Sequence, residues 1–384
     1  MNGLTYQILR GKDKIGANLL EFVCGGTKLL VEFGSELDNE QEVLTAQEEE
    51  IINSNYDACI ISHYHGDHAG KIALLKCPVF MGEKCKAVMD VLDEYTNGKL
   101  GKMPQGVKIF KNGVPFEIGS ISITPYLCDH SAADAYMLLF EGGGSKILYT
   151  GDFRSGGRKD FDKLLGALPS GMDVLITEGT NLVRPQAVDS EAELEMKAVE
   201  IMKSTDKPVF VLQSSANFDR LVSFYRAAKR AGRRFYTDDY QAAMCGALGG
   251  KIPHPDEFND VFAFAPKILK GQRYERFNSL KNKASRAAIG RQNNYCMMIR
   301  TSHLKMLQSL ARKGGLSGSV AVYSLWEGYK AKEDMRDFLG GLEALGITTI
   351  SLHASGHADK ATIDRLIERV KPAKIEYIHT EAFR

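Results

Sequence analysis

The chain has 384 residues, long for a single hydrophobic core and suited to about two domains. With 44% hydrophobic and 25% charged residues and a net charge of +1, it is an ordinary globular composition with no global field to draw in nucleic acid or a membrane. Residues 1–20 carry Gly, Lys and Asp and no unbroken apolar run, so no signal peptide, membrane-spanning helix or membrane partner is expected. Residues 18–23 and 28–33 read as two strands joined at Gly25-Gly26, and the acidic run 36–50 as a solvated loop or helix face. Next comes Ala58-Cys59-Ile60-Ile61, a buried strand, and directly after it Ser62-His63-Tyr64-His65-Gly66-Asp67-His68. Three of the nine histidines of the chain crowd into this turn. Imidazole nitrogens with a carboxylate suit zinc or another borderline first-row metal, whereas a merely polar turn would not need four such groups in six positions.

This H-x-H-x-D-H pattern resembles the signature of the metallo-β-lactamase-fold hydrolases. In that family the opening hairpin ends in an aspartate, where this chain has Glu32-Phe33-Gly34. Residues 71–76 read as a helix stopped by Pro78, and 79–81 as a short strand. A strand over 118–127 runs into Cys128-Asp129-His130-Ser131, and a later one over 146–150 ends in Gly151-Asp152-Phe153. D-H-S followed by T-G-D-F resembles the family's third histidine and metal-bridging aspartate, so the resemblance adds His130 and Asp152 to the site. A carboxylate following a strand-ending glycine can also approach an ion closely on its own account. The strand 174–178 ends at Glu178, similar to the acidic motif of the β-CASP subgroup, which processes nucleic acids and includes ribonuclease J and the polyadenylation endonuclease. There the acidic residue orients a histidine from the outer shell.

From about Pro185 the pattern changes to strand 208–212, helix 217–230 and strand 233–236, a βαβ unit that predicts a parallel sheet. Ser214-Ser215-Ala216-Asn217 at its turn are either helix caps or phosphate ligands at a helix start, and Ser214 is a substrate-binding candidate in the second case. Residues 267–313 hold about twelve Lys and Arg against Glu275 alone, interleaved with Tyr274, Phe277 and Tyr295; this is either a phosphate-tracking surface or a solvated helix face. Strand 319–325 leads into Trp326-Glu327-Gly328-Tyr329, similar to a glycine-containing turn of the β-CASP insertion. His353-Ala354-Ser355-Gly356-His357-Ala358 is close to the last metal-binding motif of ribonuclease J-like enzymes. A helix over 359–370 and a strand over 374–378 follow, ending in His379-Thr380-Glu381, a tripeptide that also recurs in the family.

The resemblance implies an α/β fold: a metallo-β-lactamase αββα four-layer sandwich interrupted by a smaller β-CASP-like α/β insertion. The sandwich would span 1–185 and 347–384, and the insertion 186–346. It implies two zinc ions per chain, with manganese a substitute. His63, His65 and His130 would hold one, Asp67, His68 and His357 the other, and Asp152 would bridge them. Asp67 is also expected to be catalytic, Glu178 to orient a ligand, and Ser355 to bind substrate. His353 is expected to contact the substrate and either hydrogen-bond or deliver a proton to the scissile phosphate. The implied activity is a ribonuclease J-like hydrolysis of RNA or single-stranded nucleic acid by a metal-activated hydroxide, leaving a 5′-phosphate. Hydrolysis of small esters, lactones or thioesters is the alternative, and a non-catalytic nucleic-acid-binding subunit a third reading. Seven scattered cysteines without C-x-x-C spacing point to reduced thiols in a cytoplasm.

Overall fold

The computed structural model describes residues 3–37, 43–183 and 189–382 and divides into two compact units. The first takes Met1–Val188 and Ser355–Arg384, the second Asp189–Ala354. The chain thus leaves the first unit, builds the second and returns. The expected boundary at 185/186, and part of the acidic run 36–50, lie outside the described residues.

In the first unit, β1 (Thr5–Arg10), β2 (Leu19–Cys24), β3 (Thr27–Val31), β4 (Ala58–Ile60), β5 (Val79–Gly82) and β6 (Lys108–Phe110) form a six-stranded sheet in that order. It is antiparallel through β3 and parallel beyond. A second sheet begins with β7 (Phe116–Ile118), β8 (Ile121–Cys128), β9 (Ala135–Gly142), β10 (Ser145–Tyr149) and β11 (Val174–Glu178). Alternation along each strand sends one apolar row inward. Leu20, Phe22, Leu29, Val31 and Ile60 of the first sheet share one core with Ile123, Leu138, Phe140, Ile147 and Ile176 of the second. The rings of Phe22 and Phe140 stack with centroids 4.2 Å apart. Helices Glu83–Thr96 and Phe161–Ala167 pack against β5 and β8, completing a layered sandwich.

Two sequence expectations are corrected here. The acidic run is not wholly solvated, because helix Ala46–Asn53 opens with a capping box of Thr45 and Glu48. The Glu48 side chain is fully buried against Lys71 Nζ (2.6 Å) and Arg10. Residues 71–76 form only the single 3₁₀ turn Ile72–Leu74, and the backbone is already extended at Leu75.

The second unit is a parallel sheet of β12 (Val209–Leu212), β13 (Arg234–Asp238), β14 (Val261–Phe264), β15 (Tyr295–Ile299), β16 (Val320–Tyr323) and β17 (Thr348–Ser351). Its spatial order is β14-β13-β15-β12-β16-β17, so β15 lies between the two strands of the expected βαβ unit. Parallel strands joined by helices are covered on both faces, and the core from Phe210, Tyr236, Tyr295, Leu307 and Phe338 reflects that. Helix Phe218–Arg230 buries Arg220 completely. Its Nε donates to Glu191 (3.1 Å), its Nη1 to Ser324 Oγ (2.6 Å), and its Nη2 to the Ala354 carbonyl (2.7 Å).

The chain then re-enters the first unit through helix Lys360–Val370 and β18 (Lys374–Ile378), which adds to the second sheet beside β11, parallel to it. The second sheet therefore runs β18-β11-β10-β9-β8-β7. Strands β8, β10, β11 and β18 all point the same way, so their carboxyl ends share one edge.

Candidate metal centre

Each side chain of the centre leaves the end of a strand. The turn after β4 carries His63 and His65 and then the short helix Gly66–Ala69, whose first turn presents Asp67 and His68. His130 follows β8, Asp152 follows β10, Glu178 ends β11, and His379 follows β18. Gly151 has φ +53°, and a Cβ there would sit 2.8 Å from Ser62 Oγ, so only glycine turns the chain toward the cluster at this point. Glu32 and His379 also hold left-handed backbone, at φ 62° and 52°. Such conformations cost about 1–3 kcal/mol each and persist where surrounding structure fixes them, commonly at functional sites.

Three groups of ligand atoms each converge within 4.8 Å: His63, His65 and His130; Asp67, His68, Asp152 and His379; and Asp152, Glu178, His357 and His379. In the first, His63 Nε2 and His130 Nε2 both lie 3.1 Å from His65 Nδ1. One nitrogen holds one proton, so at most one of these contacts is a hydrogen bond. Asp152 Oδ2 stands 3.9 Å from both His63 Nε2 and His130 Nε2, and 3.3 Å from His68 Nε2. It therefore faces two groups at once. His379 Nε2 is 3.0 Å from Asp67 Oδ2 and 3.9 Å from Asp152 Oδ2.

The outward nitrogens are fixed by partners. His130 Nδ1 lies 2.6 Å from the Gly356 carbonyl, an acceptor only, so Nδ1 carries the proton and Nε2 offers a lone pair. His63 Nδ1 meets Ser62 Oγ (3.0 Å), His379 Nδ1 meets Thr180 Oγ1 (2.9 Å), and His68 Nδ1 faces Glu32 at 3.5 Å. Glu32 is itself held by the Ser62 N–H (3.2 Å). Burial, reinforced by neighbouring imidazoles, holds His63 and His130 well below the ordinary histidine range; burial also brings His65 down to about 4 against Asp67 and Asp152. These three imidazoles are neutral and carry lone pairs. For Asp67 and Asp152 burial works the other way, but His68 and His379 outweigh it and keep both carboxylates ionised.

Of the expected trio, Asp67 and His68 converge with Asp152 and His379, while His357 converges with Asp152, Glu178 and His379. His379, the first residue of the recurring C-terminal tripeptide, belongs to both groups. His357 instead points Nδ1 at Glu178 Oε2 (3.0 Å). Burial opposes its charge, but Glu178 and then Asp152 raise its pKa to about 9. Glu178 is buried and accepts from the Phe153 N–H (3.0 Å) and the Ala358 N–H (3.3 Å) as well. Ser355 Oγ accepts from Asn181 Nδ2 and the His357 N–H, both at 3.1 Å, and so holds the turn that carries His357. Arg154 ties the same turn to Asp129, donating through Nε to Asp129 (3.1 Å) and through Nη1 to the Ser355 carbonyl (3.2 Å).

The other expected residues fall in the second unit. His353 Nδ1 lies 3.4 Å from the Ser324 carbonyl and 3.5 Å from Arg220 Nη1. Burial and then Arg220 pull its pKa to about 4. Ser214 belongs to the turn before helix Phe218–Arg230, and the cap itself is Asn217, which accepts from the Arg220 N–H (3.1 Å). In the basic stretch, Arg273 and Arg300 pair with Asp239 and Asp238, and Lys283 Nζ donates to the Asn278 carbonyl at 2.6 Å.

A sandwich with histidines and carboxylates at one strand edge defines a metallo-β-lactamase fold, and the family model for the Beta-lactamase superfamily domain matches residues 40–212. The chain is 23% identical over 360 residues to a ribonuclease J of Sinorhizobium meliloti, covering 85% of this chain and 58% of that protein. It is 25% identical over 249 residues to ribonuclease J of Mycobacterium tuberculosis (60% and 44% covered). It is also 32% identical over 153 residues to endoribonuclease ysh-1 of Neurospora crassa (33% and 18%). The chain thus spans little more than half the length of the first of these relatives. A crystal structure of a protein of unknown function from Enterococcus faecalis superposes with a TM-score of 0.80 at 19% identity, covering 99% of this chain and 94% of that one. The family model and these relatives support a metallo-β-lactamase-fold protein of the β-CASP, ribonuclease J-like kind.

Proposed function

We propose that this chain hydrolyses phosphodiester bonds of RNA with two divalent cations, zinc by preference and manganese as a substitute. The observation that carries the reading is Asp152 Oδ2, one carboxylate oxygen facing two separate imidazole groups. The residues fit metal on their own chemistry. Asp152 Oδ1 is buried without a hydrogen-bond partner, and three neutral imidazoles aim nitrogens at one point. His63, His65 and His130 would hold one ion, Asp67, His68 and His379 the other, with Asp152 between. When bound, such a pair supplies positive charge for the phosphoryl oxygens and acidifies a water.

The chain's own residues do the rest. Ser62, Thr180 and the Gly356 carbonyl orient the rings of His63, His379 and His130. His357 holds a proton, with Nδ1 committed to Glu178 and Nε2 left to meet the leaving oxygen. Its side chain is 23% exposed, against 1% or less for His63, His68 and His130, so it is the histidine among these that substrate can touch. The ribonuclease names of the relatives support RNA as the substrate class. Buried and unpaired cysteines such as Cys59, Cys85 and Cys128 suit a reducing compartment, the cytoplasm, and no helix among the described residues is long and apolar enough to cross a membrane.

The test is a hydrolysis assay on 5′-labelled RNA and single-stranded DNA beside a thioester and lactone panel, with zinc or manganese supplied. Metal-dependent RNA cleavage that outpaces every small ester is expected. Turnover of a thioester or lactone with no cleavage of RNA would overturn the reading.

A further inference from the structure

Trp326 is the one tryptophan of the chain and is 49% exposed, while most of the large aromatic side chains are buried. A lone exposed apolar residue is unremarkable in itself. This one is held in place from several sides. Its carbonyl accepts from the Tyr323 hydroxyl (2.9 Å) and from the Tyr329 N–H (3.1 Å). The Tyr329 ring meets the indole at 90° with centroids 5.3 Å apart. Gly328 passes beneath the ring, and a Cβ at that position would lie 2.3 Å from the indole Cη2. The indole therefore lies against backbone on one side and keeps about half its surface open.

The same turn carries two lysines, each over a tyrosine ring. Lys332 Nζ lies 5.0 Å from the centre of the Tyr329 ring, and Lys330 Nζ 4.6 Å from that of Tyr323. Lys330 is also fixed by Ser351 Oγ (2.7 Å) and the Glu327 carboxylate (2.8 Å). The turn follows the carboxyl end of β16, the edge at which parallel sheets receive ligands. An exposed aromatic face in a turn that also carries lysines has the two properties a single strand needs: a π surface for a base and positive charge for its phosphates. An indole already fixed in place loses little freedom on binding.

We propose that Trp326 is a stacking platform for a base of single-stranded RNA, a role that rests on the nucleic-acid reading above and extends it to the second unit. The experiment uses zinc-loaded protein and a hydrolysis-resistant phosphorothioate oligouridylate. Because Trp326 is the sole tryptophan, its emission reports this site alone. Oligouridylate is expected to quench it at saturation, and an abasic oligomer with the same backbone is not. By anisotropy of a labelled oligomer, Trp326→Ala should weaken binding about 5- to 100-fold, and Trp326→Phe should recover much of that loss. Binding with unchanged emission and an unchanged Kd in Trp326→Ala would overturn the platform and leave the hydrolase reading standing. Quenching by an apolar peptide and not by the oligomer would do the same. If the oligomer fails to bind at all, the platform falls, and the cleavage assay decides separately whether the hydrolase reading falls with it.

Discussion

Each unit buries a cluster of charge, and the two clusters differ in whether the protein satisfies them. In the second unit Arg220 spends its guanidinium on Glu191, Ser324 and the Ala354 carbonyl, and Ser223 Oγ completes Glu191 at 2.8 Å. Such a cluster closes on itself and leaves nothing to offer a ligand. In the first unit Asp152 Oδ1 has no partner and imidazole nitrogens face one another across 3.1 Å. Buried polar groups are normally paired, so a cluster that the chain leaves incomplete is built for something the chain does not contain. Burial of charge alone does not mark function.

That contrast is broken most forcefully at its centre. Asp152→Ala and Asp67→Ala should each reduce RNA hydrolysis to background while circular dichroism and melting behaviour stay close to wild type, since neither side chain fills a core. His357→Ala should lose about 100- to 10,000-fold in turnover, the range for a positioned acid, and Glu178→Gln about 10- to 100-fold. His353→Ala should lose less than His357→Ala; the opposite order would return proton delivery to the second unit. Arg220→Leu addresses the closed cluster. It should cost about 3–5 kcal/mol in urea unfolding because it strands a buried Glu191. A near-neutral change would show that the Arg220 network contributes little net stability.

The smallest effect is one of pH. Burial and then Arg300 depress His303 to about 3, so it folds neutral although it protonates when unfolded. Between its folded and unfolded pKa values the unfolded chain binds more protons, so stability rises with pH in that window and is lost on acidification. From about pH 7 to about pH 5 this group should account for about 2 kcal/mol of lost stability. His303→Gln should flatten the acid side of the unfolding profile by that amount; an equally steep profile would remove His303 as the cause.

The parts legible in the sequence were those in which chemistry is dense or directly follows a strand. His63 to His68 crowd one turn, and His130 and Asp152 each close an apolar run. His379 was legible only as part of a recurring tripeptide, with nothing local to place it beside Asp67. Its place depends on β18 pairing in parallel with β11, a partnership between strands almost two hundred residues apart that no local pattern discloses. Glu178 was legible as a carboxylate that orients a histidine, but which histidine was not; the fold sets it 3.0 Å from His357 Nδ1. Nothing local in the sequence pairs Glu191 with Arg220; the fold brings them face to face. Glu48 was masked by its acidic neighbours, although Thr45 three residues earlier carried the signal of a capping box.

The assignment of His379 to the metal centre and of His357 to the proton is tested most directly by metal content. Wild type, His379→Ala and His357→Ala would be stripped with chelator, reloaded with zinc, desalted and measured by elemental analysis. We expect about two ions per chain in wild type and in His357→Ala, and about one in His379→Ala. Two ions retained in His379→Ala, or one lost from His357→Ala, would contradict the account.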